Sequence, residues 1–399
     1  MAKDERSLRN RYRLATRQIS KGTAGAFKSL TICCATLLVA LLFCATAADA
    51  QKRQPVNVIL DTDMASDVDD VGALATLLSL EDLGEAKILA VGVCVLNDWS
   101  ILGVDAITTY YGRPDISLGT AKTGTVAGSR YAQQIATEYP RSRGWNTADD
   151  APEVIGVYRR VLSQQPDNSV TFVTIGPVTS AAELLKSAPC QHSDLNGRDL
   201  VAKKVRRWVG MGGNHNEYNM TADAPASKYA LDSPSKWPAP VLFSPHGVGT
   251  RVRTGEGLRY LPENNILRRA WDLYKGKAKD WNHPSYDQCA VHYAVRGFDG
   301  GPAEDYYDLV GPGWYRIDDS KDDSRHGYVG YTGFDLDPDG LHKHKKQADD
   351  AFDRNRIAAE LYELMKHNPN GRDPEDPTIP PAAPSSLPQG DCSTLGNRQ

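Results

Sequence analysis

VNVILDTDMASDVDDVGALATLLSL, residues 56–80, carries a short apolar run into an acidic turn and then into a helical pattern. Val56, Val58, Ile59 and Leu60 are mostly β-branched and apolar without alternation, the pattern of a parallel strand buried on both faces. Asp61, Asp63, Asp67, Asp69 and Asp70 begin where that strand is expected to end. Val71, Leu74, Ala75, Leu77 and Leu78 then recur at helical spacing, which puts Asp69 and Asp70 in a first turn, where the helix dipole favours negative charge. The dipole accounts for that pair and not for the other acids. Like charges packed so closely raise one another's pKa, so the rest call for a bound cation, an arginine cluster or open solvent. A hard cation with oxygen ligands suits the side chains present. An EF-hand loop is excluded by spacing, because counting from Asp61 puts Ser66 where Gly is needed and Gly72 where Glu is needed. A solvated acidic loop is the plainer alternative. The mouth of a buried parallel strand, however, is where open α/β sheets place ligands.

The 399 residues carry a formal net charge of −4, with 40% hydrophobic and 24% charged residues. That balance fits one large α/β domain or two smaller ones and gives no sign of a nucleic-acid partner. Residues 1–29 are rich in Lys and Arg, residues 30–47 are apolar, and Ala48-Asp49-Ala50 has the small-x-small pattern of a signal-peptidase site. The expectation is a signal peptide cleaved before Gln51 and a secreted or periplasmic protein. The alternative is an uncleaved signal anchor, since residues 30–47 are long enough to span a membrane. Residues 51–367 are then expected to form the main folded domain, and 368–399, rich in Pro, Asp and Ser, a disordered tail. Cys94 lies in an apolar strand pattern and Cys289 in an apolar helix pattern, so both are expected as buried thiols. Cys190 and Cys392 could pair, although nothing in the sequence shows it.

Strand patterns recur at 87–95, 116–119, 170–175, 205–209 and 240–244, with helical stretches at 106–111, 181–185, from 223 and after 286. This alternation indicates an α/β fold with an open, mainly parallel sheet flanked by helices. Residues 121–150 are polar and read as a surface excursion. Polar residues gather where strands end. Asn97 follows the second strand and could cap the next helix. Gly176-Pro177-Val178-Thr179-Ser180 forms a turn after the third strong strand. In Met211-Gly212-Gly213-Asn214-His215-Asn216-Glu217-Tyr218-Asn219, the Gly pair permits a tight turn, and the residues after it can line a pocket for a hydroxylated ligand. Asn219-Met220-Thr221 is a glycosylation sequon, but its place in a pocket argues against modification. Asp287, in Pro284-Ser285-Tyr286-Asp287-Gln288, would alone be an ordinary first-turn acid.

Taken together and in this order, the motifs resemble the calcium-dependent nucleoside hydrolases of the inosine-uridine-preferring type. Their signature is Asp-x-Asp, a short turn and Asp-Asp opening a helix, here in a longer-turn form from Asp61 to Asp70. The resemblance implies a nucleoside hydrolase-like, Rossmann-related fold. It also implies Ca²⁺ held by Asp63, Asp70, the Ile175 carbonyl and Asp287, with Asp63 as general base toward the attacking water. Asp69, Asn97, Asn214, Glu217 and Asn219 would hold the ribose, with Asn216 as the alternative to Asn214. Ala65 stands where the family has Gly, Ser180 where it has Asn, and Tyr286 where it often has the His that protonates the leaving base. The implied ligand is a small nucleoside or related riboside. Self-association as a homo-oligomer stays open, and membrane attachment would run through residues 30–47 if uncleaved. Two other readings compete. A phosphatase of the haloacid dehalogenase type would use Asp61 as nucleophile with Thr174 and Lys203 or Lys204, but it leaves residues 211–219 and Tyr286-Asp287 unexplained. A riboside-binding protein of the same fold would bind without turnover.

Overall fold

A computed structural model describes residues 53–213, 217–232, 236–318, 330–336, 342–347 and 351–367. The signal expected at 1–50, Asn214 and Asn216 of the pocket loop, and the tail at 368–399 lie outside the described residues.

Strand β1 (Val56–Thr62) is followed in the chain by β2 (Ala86–Val93), β3 (Ser117–Thr120), β4 (Val170–Thr174), β5 (Val205–Met211) and β6 (Val241–Ser244). They lie side by side as β6-β5-β4-β1-β2-β3, every neighbouring pair parallel. From β1 the chain therefore builds outward to β3, then returns to place β4 on the other side of β1. That reversal opens a crevice at the carboxyl ends of β1 and β4, the usual ligand position in doubly wound sheets. A short ladder of β7 (Arg253–Thr254) and β8 (His283–Pro284) stands apart. Three further strands, β9 (Tyr307–Asp318), β10 (Gly330–Leu336) and β11 (His342–Gln347), extend the sheet beyond β6. There β11 runs parallel to β6, while β9 and β10 are antiparallel additions.

Parallel neighbours require crossovers, and helices supply them on both faces. One face carries α1 (Asp69–Asp82), α2 (Ser100–Tyr110) and α3 (Ala132–Glu138); the other carries α4 (Val154–Ser163), α5 (Thr179–Lys186), α6 (Gly197–Lys204), α7 (Tyr218–Thr221) and α8 (Ala224–Leu231). Later in the chain α9 (His246–Arg251), α10 (Ile266–Lys275), α11 (Tyr286–Arg296) and α12 (Ala351–Met365) join the first face. Strand alternation decides which side chains meet which layer: Val58 and Leu60 pack with α1, and Ile59 packs with α4 and α5. All three are fully buried, each such side chain stabilising by roughly 1.5–3 kcal/mol. Helix α1 is buried on every side from Asp69 to Leu80, because α11 and α12 cover the flank that the sheet does not.

The structure corrects two readings and bears out a third. Strand β1 runs on through Asp61 and Thr62, with Asp61 in register with both Gly92 and Thr174; partners on two sides hold backbone that its polar side chains do not advertise. Helix α2 starts at Ser100, as expected of a helix that begins near Trp99 and Ser100, and its Ile101, Leu102 and Val104 are core residues. The polar segment 121–150 is not only a surface excursion. Its Tyr131, Ala132, Ile135 and Ala136 are buried, four apolar positions at helical spacing in an otherwise polar stretch.

Cys94 and Cys289 are buried thiols outside any disulfide. Cys190 is disulfide-bonded, and Cys392 lies outside the described residues. Among the described residues no helix is long and apolar enough to cross a membrane.

Candidate functional site

The turn from β1 to α1 is tied by its own polar groups. Thr62 Oγ1 donates to Asp70 Oδ1, and the Met64 N–H donates to Thr62 Oγ1 at 3.0 Å and to Asp70 Oδ1 at 3.1 Å. Met64 has φ 45°, a left-handed conformation that disfavours a side chain by roughly 1–2 kcal/mol. The strained residue of the turn is thus Met64 and not Ala65, and Ser100 Oγ fixes it by donating to Met64 O at 3.1 Å. Gly176, just past β4, lies against this turn: a Cβ there would stand 2.8 Å from Asp63 N. The lack of a side chain at 176 is what lets the ends of β1 and β4 close on each other.

Asp61 points away from the turn toward α4, where the Tyr158 hydroxyl donates to its Oδ1. Tyr158 reaches it by passing over Gly92, where a Cβ would fall 1.9 Å from the phenol oxygen. Burial pushes the Asp61 carboxyl up to about 7, against the hydrogen bond from Tyr158. Asp61 is therefore a buried brace under the site.

Asp63, Asp69, Asp70 and Asp287 are all buried. Burial is the foremost cause raising each of them above the usual carboxylate range, and neighbouring carboxylates add to it. Asp69 Oδ2 accepts from the Asp287 N–H at 3.1 Å, joining the first turns of α1 and α11. Asp69 Oδ1 and Asp70 Oδ2 are buried without any partner. Among the described residues no Arg or Lys forms an ion pair with these acids, which removes the arginine-cluster explanation. Oxygens of Asp67, Asp70 and Asp287 lie within 4.8 Å of one another. Orphaned carboxylate oxygens, an all-oxygen donor set and mutual repulsion fit a divalent cation.

The other expected residues divide by what their side chains do. Ile175 lies at the end of β4, and its carbonyl accepts from Asn219 Nδ2 at 3.0 Å, leaving a second lone pair. Asn219 Nδ2 also lies 3.3 Å from Met211 O, so this amide clamps the ends of β4 and β5. Glu217 is buried, with Oε1 accepting from the His246 N–H. Asn97 is held by backbone groups: its Oδ1 accepts from the N–H groups of Trp99 at 2.8 Å and Ser100 at 3.0 Å, and its Nδ2 donates to Ala127 O at 2.7 Å. Those bonds brace the turn that leads into α2, whose N-cap position is Trp99. Tyr286 is half-buried and stacks on the His246 ring, centroids 4.7 Å apart and planes at 24°. Burial raises its phenol, and the Asp69 and Asp67 charges add to that, against a hydrogen bond with Thr250.

Three residues at the site were not singled out from the sequence as ligands or contacts: Asp67, His283 and His246. Asp67 was visible as one of the acids of the quoted stretch. His283 lies 216 positions away from it in the chain, with Nε2 3.2 Å from Asp67 Oδ2, and no local pattern marks it.

A family model described as inosine-uridine preferring nucleoside hydrolase matches residues 58–324. No curated protein sequence matches the chain. Among solved structures, the chain is similar to a purine-preferring ribonucleoside hydrolase from Gardnerella vaginalis, with TM-score 0.57 and 18% identity over 78% of this chain and 99% of that one. A plant nucleoside hydrolase superposes with TM-score 0.55 at 19% identity over 78% and 99% of the two chains. The type III effector protein XopQ, solved with adenosine diphosphate ribose, gives TM-score 0.54 at 15% identity over 79% and 94%. At these identities the likeness is one of fold.

Proposed function

The chain belongs to the inosine-uridine preferring nucleoside hydrolase family, and on that premise we propose that it hydrolyses the N-glycosidic bond of ribonucleosides to ribose and free base. The observation that carries the proposal is the set of buried acids at the β1–β4 crevice, with Asp69 Oδ1 and Asp70 Oδ2 left unpartnered. A phosphatase acting through Asp61 does not fit, because that carboxyl is fully buried, held by Tyr158 and raised to about 7.

The cation we assign is Ca²⁺, held by Asp63, Asp70, Asp287 and the Ile175 carbonyl. When bound it supplies positive charge that eases deprotonation of water and gathers oxygens of the sugar. Asp63 takes the proton of the attacking water, steadied by Ser66 Oγ, 3.4 Å from its Oδ2. Asp69 and Glu217 accept from ribose hydroxyls, and Asn214 is the further sugar contact we assign. Asn97 and Asn219 act through the backbone they pin. As the bond to the base lengthens, positive charge grows on the ribose, and buried carboxylates fixed beside it favour that state over the neutral ground state. Tyr286 lies beside the departing base as a stacking surface, since its raised phenol makes it a poor proton donor.

We further propose that the mature chain starts at Gln51 and is exported. The decisive experiment is release of free ribose from inosine and uridine by the Ca²⁺-loaded protein. Asp63→Asn should lower kcat by about a thousandfold, within the range for loss of a general base. Folded, Ca²⁺-loaded protein that binds ribosides and releases no ribose would instead establish the binding-only reading.

A further inference from the structure

Away from the crevice, the far face of the sheet carries a buried cation with no anion beside it. Arg159, on α4, is fully buried, and its guanidinium ties together the loop between α5 and α6. Nη1 donates to Ser187 Oγ at 2.8 Å, and Nη2 to Ser193 O at 3.1 Å and Leu195 O at 2.6 Å. Nε donates to the sulfur of Cys190, 3.2 Å away. Among the described residues no carboxylate pairs with Arg159, and burial alone, with no neighbouring charge, holds the guanidinium below its usual range. Cys190 itself is disulfide-bonded. We propose that this disulfide is a site of thiol–disulfide exchange, in which a small thiol opens the bond and Cys190 departs as a thiolate paired with Arg159.

A brace for the loop is the simpler account of Arg159, and three of its hydrogen bonds fit that role. It does not explain why the fourth N–H meets a sulfur, a weak acceptor, or why a full positive charge is buried where neutral donors would serve. In the disulfide the sulfur has no charge to offset the guanidinium; as a thiolate it does. A cation beside a thiol favours the thiolate, and a thiol of lower pKa is the better leaving group. Arg159 therefore both eases opening of the bond and stabilises what opening leaves behind.

The loop also sets which sulfur is attacked. Cys190 is buried, and its main-chain N–H and carbonyl bond Ser193 at 3.0 and 2.9 Å, which holds it against the guanidinium. Attack falls on the sulfur of its partner. The small thiolate RS⁻ bonds to that sulfur, the S–S bond breaks and its electron pair goes to Cys190. A second RS⁻ then attacks the mixed disulfide, giving RSSR and the partner's thiolate. Two small thiols are oxidised and one protein disulfide is reduced. Counting identifies the partner: of seven cysteines, Cys94 and Cys289 are free, so a chain starting at Gln51 offers only Cys392. Such a bond persists in an oxidising compartment, and nothing in it depends on nucleoside hydrolysis.

The test is equilibration of the mature chain in mixtures of reduced and oxidised glutathione, with thiols trapped by iodoacetamide and read peptide by peptide in the mass spectrometer. The oxidised protein should yield a peptide joining Cys190 to Cys392. Arg159→Met should shift the equilibrium at least tenfold toward the disulfide, with thermal melting confirming the fold. In the reduced wild type, the pH dependence of Cys190 alkylation should report a thiol pKa below the ordinary value of about 8.5, which a purely structural Arg159 would not produce. If Arg159→Met fails to fold, that alkylation profile decides the matter. The proposal is overturned by a Cys190 that is unpaired or joined to another cysteine, by equal equilibrium constants in the wild type and folded Arg159→Met, or by a Cys190 thiol that titrates at or above the ordinary value.

Discussion

Without divalent cations the protein should become less stable as pH rises from about 5 to 8, and Asp61→Asn should remove a measurable share of that loss. Asp61 is pushed from 3.8 up to about 7, chiefly by burial. A carboxyl raised in the folded state keeps its proton where the unfolded chain has released it, so its stabilising effect is complete below the unfolded pKa and is lost as pH climbs toward the folded one. For Asp61 this amounts to about 4 kcal/mol between pH ~4 and ~7. Asp63, Asp69, Asp70 and Asp287 are raised as well and act in the same direction. The depressed carboxyls Asp67, Glu138, Asp150, Asp167 and Glu360 act in the opposite sense, but their effect falls below the usual carboxylate range and outside this window. Asparagine at 61 keeps an acceptor for Tyr158 and cannot ionise. The assay is urea unfolding in chelator at several pH values, comparing midpoints of wild type and variant. Excess Ca²⁺ should reverse the wild-type trend, because the cation competes with protons for the same carboxylates. A chelated wild type whose stability is flat or rises from pH 5 to 8, or an Asp61→Asn slope as steep as the wild type, would refute the reasoning.

Asp70→Asn preserves an oxygen for Thr62 and Met64 but removes charge, so calorimetry should show Ca²⁺ affinity down about a hundredfold or more, equivalent to about 3 kcal/mol; unchanged affinity would remove Asp70 from the ligand set. If no side chain protonates the departing base, p-nitrophenyl riboside should be cleaved much faster than inosine, and Tyr286→Phe should alter both rates about equally. A loss confined to inosine would identify Tyr286 as the acid. Gly176→Ala places a methyl 2.8 Å from Asp63 N and 2.5 Å from Cys94 Sγ, which should destabilise by about 1–3 kcal/mol and weaken Ca²⁺ binding; an unchanged melting temperature together with unchanged affinity would show that the two strand ends need not meet so closely.

The centre of the fold was legible because its signals are local. An unbroken β-branched run announces a doubly covered strand, and the period of Val71, Leu74 and Leu78 announces the helix that follows. Strand order was not legible in the same way, since the reversal at β1 depends on pairings between residues more than a hundred positions apart, as in Asn57 with Val170. Strand β11 was missed for a different reason. Its sequence, HKHKKQ, has no apolar alternation, and its place comes from backbone pairing with β6 and β9. Asp61 and Asp63 part because the strand ends between them: side chains two apart in a strand share a face, so Asp61 follows Ile59 toward α4, whereas Asp63 lies past Thr62, the last strand residue, in the turn at the crevice.

The site shows where reading along the chain stops being enough. Asp63, Asp69 and Asp70 lie within one turn and declare themselves, whereas Asn97 shows the same polar signal at a strand end and spends its side chain on backbone groups at the entry to α2. What separates them is whether the side-chain oxygens are already spent, and only three-dimensional partners reveal that. By that criterion Asp67 differs from a spare acid in a long turn. The residues between Asp63 and Asp69 carry it to where it meets Asp70 and Asp287 on one side and His283 on the other. A shorter connection would leave His283 without a carboxylate partner there. The extra length of the turn is therefore tied to a histidine more than two hundred residues downstream, and shortening the turn while keeping Asp63, Asp69 and Asp70 should break that contact yet leave Ca²⁺ binding measurable by calorimetry; loss of Ca²⁺ binding in the folded variant would instead make Asp67 part of the cation site.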